Sequence, residues 1–264
     1  MTLGRVAAVV DKEFQDALRN RYVVMLMIVL PIVFAAIPII SLTMIRQLPP
    51  SQAPSGQLPP ALARRLAGLS PQTQLEVFLS SQFMLLFWIA PLAIPMTIAT
   101  YSVVGEKREK ALEPMLATPV TTGELLAGKA IAAACPGIAL SWGAYLLVVA
   151  AAHGIRLSPP AMEVLWGPTA WFQIFILAPL ITLLATLIGL IVSSRVNDPR
   201  LAEQIGMVVI LPLLGLILGQ SFGILWLSGT LLAWIAVFLV GVDALLLALA
   251  VALFERETIL TRWR

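Results

Sequence analysis

One stretch of this chain has the spacing of phosphate chemistry. Residues 123–129 read Gly-Glu-Leu-Leu-Ala-Gly-Lys, the G-x-x-x-x-G-K of a phosphate-binding loop. Such a loop wraps phosphates in backbone N–H groups, reaches the outer phosphates with its Lys and ligates magnesium through a following Ser or Thr. Position 130 is Ala, so the magnesium ligand is missing. The loop should also follow a buried strand, and here the preceding residues are polar. No apolar strand ending in an acid supplies the second metal contact. ATP binding by this segment is therefore not expected. Gly128 and Lys129 read more simply as the start of a helix, with Lys129 snorkelling to a membrane surface.

The other chemistry-bearing residues are few. One Cys (Cys135) and one His (His153) allow neither an internal disulfide nor a Cys/His zinc cluster. Cys135, beside Pro136-Gly137, reads as small packing at a helix kink, and His153 as a solvated side chain. Catalytic and metal-ligating residues are expected to be absent: there is no H-E-x-x-H, no intramembrane Ser-His pair and no pair of facing acids. Asp243 remains as a candidate intramembrane polar site. It lies about 16 Å along a helix from Phe254, near mid-membrane. Acids at that depth are costly. It would bind a cation or a proton, or serve as a hydrogen-bonded packing contact.

The elements that position these residues follow from composition. Of 264 residues, 59% are hydrophobic and 12% charged, and the mean hydropathy is +0.94. Soluble domains carry about 25% charged residues, so this is a polytopic all-α membrane protein. Six spans of about 20 or more apolar residues are expected, at roughly 22–45, 79–104, 124–152, 167–192, 203–224 and 228–254. The fifth holds Pro212, Gly215 and Gly219, then Gln220-Ser221-Phe222-Gly223, and is expected to break or re-enter in its outer half. Six spans place both termini on one side. All but four of the 17 Lys and Arg fall on that side, the exceptions being Arg46, Arg64, Arg65 and Arg156. Both termini are therefore expected to be cytoplasmic. The net charge of +3 reflects those loops and is no nucleic-acid footprint.

Residues 3–20 read as an amphipathic interfacial helix, an elbow before the first span, with Leu3, Val6, Ala7, Val10, Phe14, Ala17 and Leu18 on one face and Arg5, Lys12, Asp16 and Arg19 on the other. Residues 46–78 are Pro-rich and read as an external linker, with a short helix near 61–69. Residues 105–123 form a charged loop. Glu106, Glu109 and Glu113 share one helical face, and Leu112, Met115 and Leu116 face the other way. Pro114 suits a first helical turn, and Thr118-Pro119 stops it. The loop is either a solvated turn or a docking element.

"GEKREKALEPMLATPVTTGELLAGK" resembles the cytoplasmic loop of type-2 ABC exporter permeases, E-x-x-x-x-x-L-E-x-L-L-x-T-P-V followed by L-x-G-K, with Met115 where Leu is common. "DKEFQDALRNRYVVMLMIVLPIV" and "FERETILTRW" resemble that family's opening helix and one branch's tail. The resemblance implies a permease without an ATPase of its own, in the cell's plasma membrane. It implies pairing with a second permease copy or homologous permease and with two copies of a separate ABC ATPase subunit, which carries the ATP and Mg. It implies coupling through Glu106, Glu109, Leu112, Glu113, Leu116, Thr118 and Pro119. An ion-coupled secondary transporter using Asp243 is the alternative, and it leaves the charged loop unexplained.

Overall fold

The computed structural model describes residues 3–49, 58–108 and 121–254. Every regular element among them is helical, and six segments are long and apolar enough to cross a membrane. The chain opens with α1 (Leu3–Arg19) and α2 (Arg21–Gln47). Asn20 alone separates them. Its side chain accepts from the N–H groups of Tyr22 and Val23, at 3.0 and 3.4 Å, and so caps α2. A short α3 (Pro60–Arg65) precedes α4 (Pro71–Leu86). Ser70 caps α4, and Pro71 occupies its first turn, where a missing N–H costs nothing. Helix therefore begins well inside the segment expected to be linker.

The second apolar segment is two helices, α4 and α5 (Ala90–Arg108), separated at Phe87–Ile89. The physical cause is Pro91, which has no N–H for the carbonyl of Phe87 and restricts the residue before it. The fourth segment is also composite and starts earlier than expected. After α6 (Thr122–Gly154) come α7 (Pro159–Trp166), α8 (Pro168–Phe172), a π turn at Gln173–Leu177 and α9 (Ala178–Arg195). Pro179 explains the π turn. The Ala178 N–H bonds the Gln173 carbonyl, one residue further back than in an α-helix. The next carbonyl, Ile174, would then require an N–H from Pro179, which has none.

Both gaps are filled from one place. Ser141 Oγ donates to the Phe87 carbonyl at 3.4 Å, and Trp142 Nε1 donates to the Ile174 carbonyl at 3.0 Å. Two consecutive residues of α6 thus satisfy proline-freed carbonyls on two other helices, which is how a bilayer-spanning bundle tolerates prolines.

The fifth segment does break, but in its first half. It comprises α10 (Pro199–Gly206), a 3-10 turn at Met207–Val209 and α11 (Ile210–Ser221). Pro212 deprives the Val208 carbonyl of its helical donor, and the turn tightens there. The half expected to break is helical, and it ends in a turn with Gly223 at φ 71°, a left-handed conformation suited to glycine. The last helix is α12 (Gly229–Leu253).

Helices α5, α6 and α9 form the centre, with α12 laid on α9 and α1 and α2 on α6. At the end opposite α1, the fully buried Glu76 of α4 joins three elements. Its Oε1 lies 3.5 Å from Arg46 Nη1 of α2, and its Oε2 accepts the Ser158 N–H at 3.1 Å where α7 begins.

The Trp142 bond yields a test. Trp142→Phe keeps an aromatic ring but removes the donor, leaving the Ile174 carbonyl unpaired at a cost of about 1–3 kcal/mol, and the smaller ring adds to the loss. A lowered unfolding midpoint in detergent or nanodiscs is the expected result. Ser141→Ala, which removes a longer bond, should lower it less.

Candidate functional site

The charged residues near the near-miss phosphate loop converge on one buried cluster. Helix α1 has three sides. Val9, Glu13 and Ala17, four residues apart, are buried against the bundle. Leu3, Phe14 and Leu18 form an exposed apolar side, and Asp11, Gln15, Asp16 and Arg19 an exposed polar one. The buried side seats tightly on α6, because Gly128 offers no side chain to Val9. A Cβ there would lie 2.5 Å from Val9 Cγ1.

That close approach brings Glu13 to Lys129. The Lys129 ammonium, 2% exposed, does not snorkel. It donates to Glu13 Oε1 at 2.7 Å and to Ser102 Oγ of α5 at 2.7 Å, and it sits 2.7 Å from Glu106 Oε2 in an ion-pair contact. Lys12 closes the figure from the other side, 3.3 Å from Glu13 Oε1 and 2.5 Å from Glu106 Oε1. Ser102 Oγ also lies 2.5 Å from Glu13 Oε2. The four charges therefore alternate around a ring, Lys12, Glu13, Lys129, Glu106, drawn from α1, α5 and α6. Each ion touches both of its opposite-sign neighbours, and the ring is neutral.

The ring sets the ionisation of its members. Burial alone pushes the Glu13 carboxyl up. The Lys129 charge and hydrogen bond, with help from Ser102 and Lys12, more than reverse this and hold it at about 2. Burial likewise works against the Lys12 ammonium, but its contacts with Glu106 and Glu13 raise it above the ordinary value.

Both boundaries of the charged loop are fixed beside the ring. Lys107 Nζ donates to the carbonyls of Ser193, Ser194 and Val196 at 2.9, 2.6 and 3.2 Å, capping the end of α9. On the other side, Thr121 and Glu124 form a reciprocal capping box that starts α6, and Arg5 of α1 lies 3.8 Å from Glu124. Of the seven expected coupling residues, Glu106 is buried in the ring and is not displayed for a partner. Glu109, Leu112, Glu113, Leu116, Thr118 and Pro119 lie outside the described residues.

Asp243 is 4% exposed, on the face of α12 that Leu232, Ala236, Leu239 and Ala250 also bury. Neither of its carboxylate oxygens has a hydrogen-bond partner among the described residues. It is not the only acid within the apolar segments. Glu203 of α10 is nearly buried and accepts from Thr97 Oγ1 at 2.6 Å and Tyr22 OH at 3.4 Å, joining α10 to α5 and α2. Sequence reading passed over it because it stands at the edge of a span. Cys135 is exposed on the outside of α6, while its neighbours Pro136 and Gly137 are buried. No group of three or more His, Cys, Asp or Glu among the described residues is arranged to hold a metal.

One comparison with known proteins is informative. The model of a family described as "ABC-2 family transporter protein" matches residues 7–230. No curated protein matches the sequence significantly.

The ring makes a pH-dependent contribution of known sign. Glu13 is ionised in both folded and unfolded protein above its ordinary value of 4.5, so the full contribution is present there. As pH falls, the unfolded state takes up the proton first, and the contribution is lost as pH passes through about 2. The difference in melting temperature between wild type and Glu13→Gln should be constant above about pH 5 and shrink steadily below it. Lys129→Met leaves two buried carboxylates sharing one half-exposed cation and should cost about 3–5 kcal/mol.

Proposed function

The chain belongs to the ABC-2 family of transporter proteins, and on that premise we propose that it is the membrane-spanning subunit of an ATP-driven ABC exporter. It forms the translocation pathway, in the plasma membrane, with both termini cytoplasmic. Hydrolysis belongs to a separate ABC ATPase, present in two copies and carrying ATP and Mg. A second permease copy, or a homologous permease, completes the pathway. The observation that supports this reading is the anchoring of the two helix ends that flank the charged loop. These two helices, α5 and α6, are tied at the same end of the bundle to α1 by the ring. A loop so rooted suits a partner that pushes on it. The exposed apolar side of α1 suits the lipid interface, and its polar side suits the cytosol.

Within the loop, the partner-facing role falls to Glu109, Leu112, Glu113, Leu116, Thr118 and Pro119. Glu106 supports them from within. A second reading, an ion-coupled transporter without an ATPase, draws on the buried Asp243 carboxylate, whose oxygens have no hydrogen-bond partner among the described residues.

Two substitutions test these readings. Glu113→Lys opposes any basic groove on the ATPase, and mispaired interface charges cost several kcal/mol. It should insert normally yet lose ATPase binding or stimulated hydrolysis, as should Leu116→Ser. Arg64→Ala, at the other end of the bundle, should be silent. Pull-down and ATPase assays check this, and wild-type behaviour of both loop variants would refute the coupling role. Asp243→Asn should preserve transport in an ATP-driven exporter. A folded Asp243→Asn complex that still hydrolyses ATP but no longer transports would favour ion coupling.

A further inference from the structure

The geometry points to Lys129 as a positioning residue for coupling: through the ring it holds α1 and both ends of segment 109–120 as one mechanical unit. A partner bearing on either α1 or the loop then moves α5 and α6 together. This rests on the exporter reading above.

Three observations support it. First, Glu106 lies two residues before the described end of α5, and Lys129 lies two turns into α6, so the ring spans the loop's entry and exit. Second, the ring has little play. Each of its four ions contacts two others of opposite sign, so displacing one breaks two contacts. The absent side chain of Gly128 leaves α1 and α6 in direct contact at Val9. Third, Lys129 is the one member of the ring from α6, and its ammonium reaches α1 and α5 at once. By comparison, the Arg5–Glu124 ion pair, which also joins α1 to α6, is longer at 3.8 Å.

The electrostatics supply a rescue. Lys129→Met leaves the ring with an excess negative charge, and adding Glu13→Gln restores neutrality with the Lys12–Glu106 pair intact. Simple loss of packing at position 129 would not be repaired by a change at position 13. Lys129→Arg retains the charge and serves where the Met variant folds poorly.

Two readouts test the proposal. On the full chain in nanodiscs, hydrogen exchange is compared in α1, in 103–108 and in 121–130. Lys129→Met should raise exchange in all three together, and Lys129→Met/Glu13→Gln should lower it again. A rise confined to 121–130 would overturn the proposal. In the complex with its ATPase, Lys129→Met should still bind the partner but lose stimulated hydrolysis by about tenfold, with partial recovery in the double variant and in Lys129→Arg. Equal loss of binding and stimulation, or wild-type stimulation, would also overturn it. A wild-type chain that binds no ATPase would defeat the exporter reading and with it the coupling role, while the exchange pattern would still report whether the ring joins the three segments.

Discussion

An ammonium group shut away from water stays in place only if anions meet it from more than one direction. Lys129 imposes that condition on everything around it. Its two carboxylates come from different helices, so α1 and α5 have to arrive together at α6. The arrival requires Gly128, where a side chain would hold α1 off. Buried ion pairs add little net stability, because desolvation offsets attraction. Their effect is on arrangement: with four alternating charges, any shift of register sets like charges against each other. The ring therefore specifies how three helices align more strongly than it stabilises them.

The rest of the bundle meets a related requirement with neutral groups. Backbone carbonyls in hydrocarbon need donors, and the prolines at 91 and 179 remove two. Residues 141 and 142 supply replacements. At the far end, Glu76 repeats the logic of the ring on a smaller scale, with one acid accepting from a backbone amide and facing one guanidinium. Polar fastenings thus sit at both ends and in the middle of a chain whose bulk is apolar. The outer helices α2, α11 and α12 expose long apolar faces.

The six apolar segments and the helical class were legible because hydrocarbon thickness demands long uninterrupted runs. Prolines located the interruptions only in part. Pro212 was visible, yet the glycines after it drew attention to the wrong half of the segment. The carbonyl a proline strands lies up to five residues earlier in the chain. Lys129 was misread for a different reason. Snorkelling is the default for one Lys near a span end, and the acid that overrides it lies 116 residues away. Glu13 gave no warning either, since one more acid beside Asp11, Lys12, Asp16 and Arg19 looks like part of a solvated face. Glu76 and Glu203 sat in a presumed linker and at a span edge. In each case the residue type was plain, and the partner, set by tertiary packing, was not.

The neighbouring donors on α6 have a consequence in time. The chain is made from its N-terminus, so the interrupted α4–α5 span exists before Ser141 does, with the Phe87 carbonyl lacking that donor. The π turn is made after Trp142 and meets a donor already in place. Two repairs one residue apart are therefore completed on opposite schedules. Until α6 enters the bilayer, the α4–α5 span is an unfinished object, while α8 and α9 fold onto a finished one.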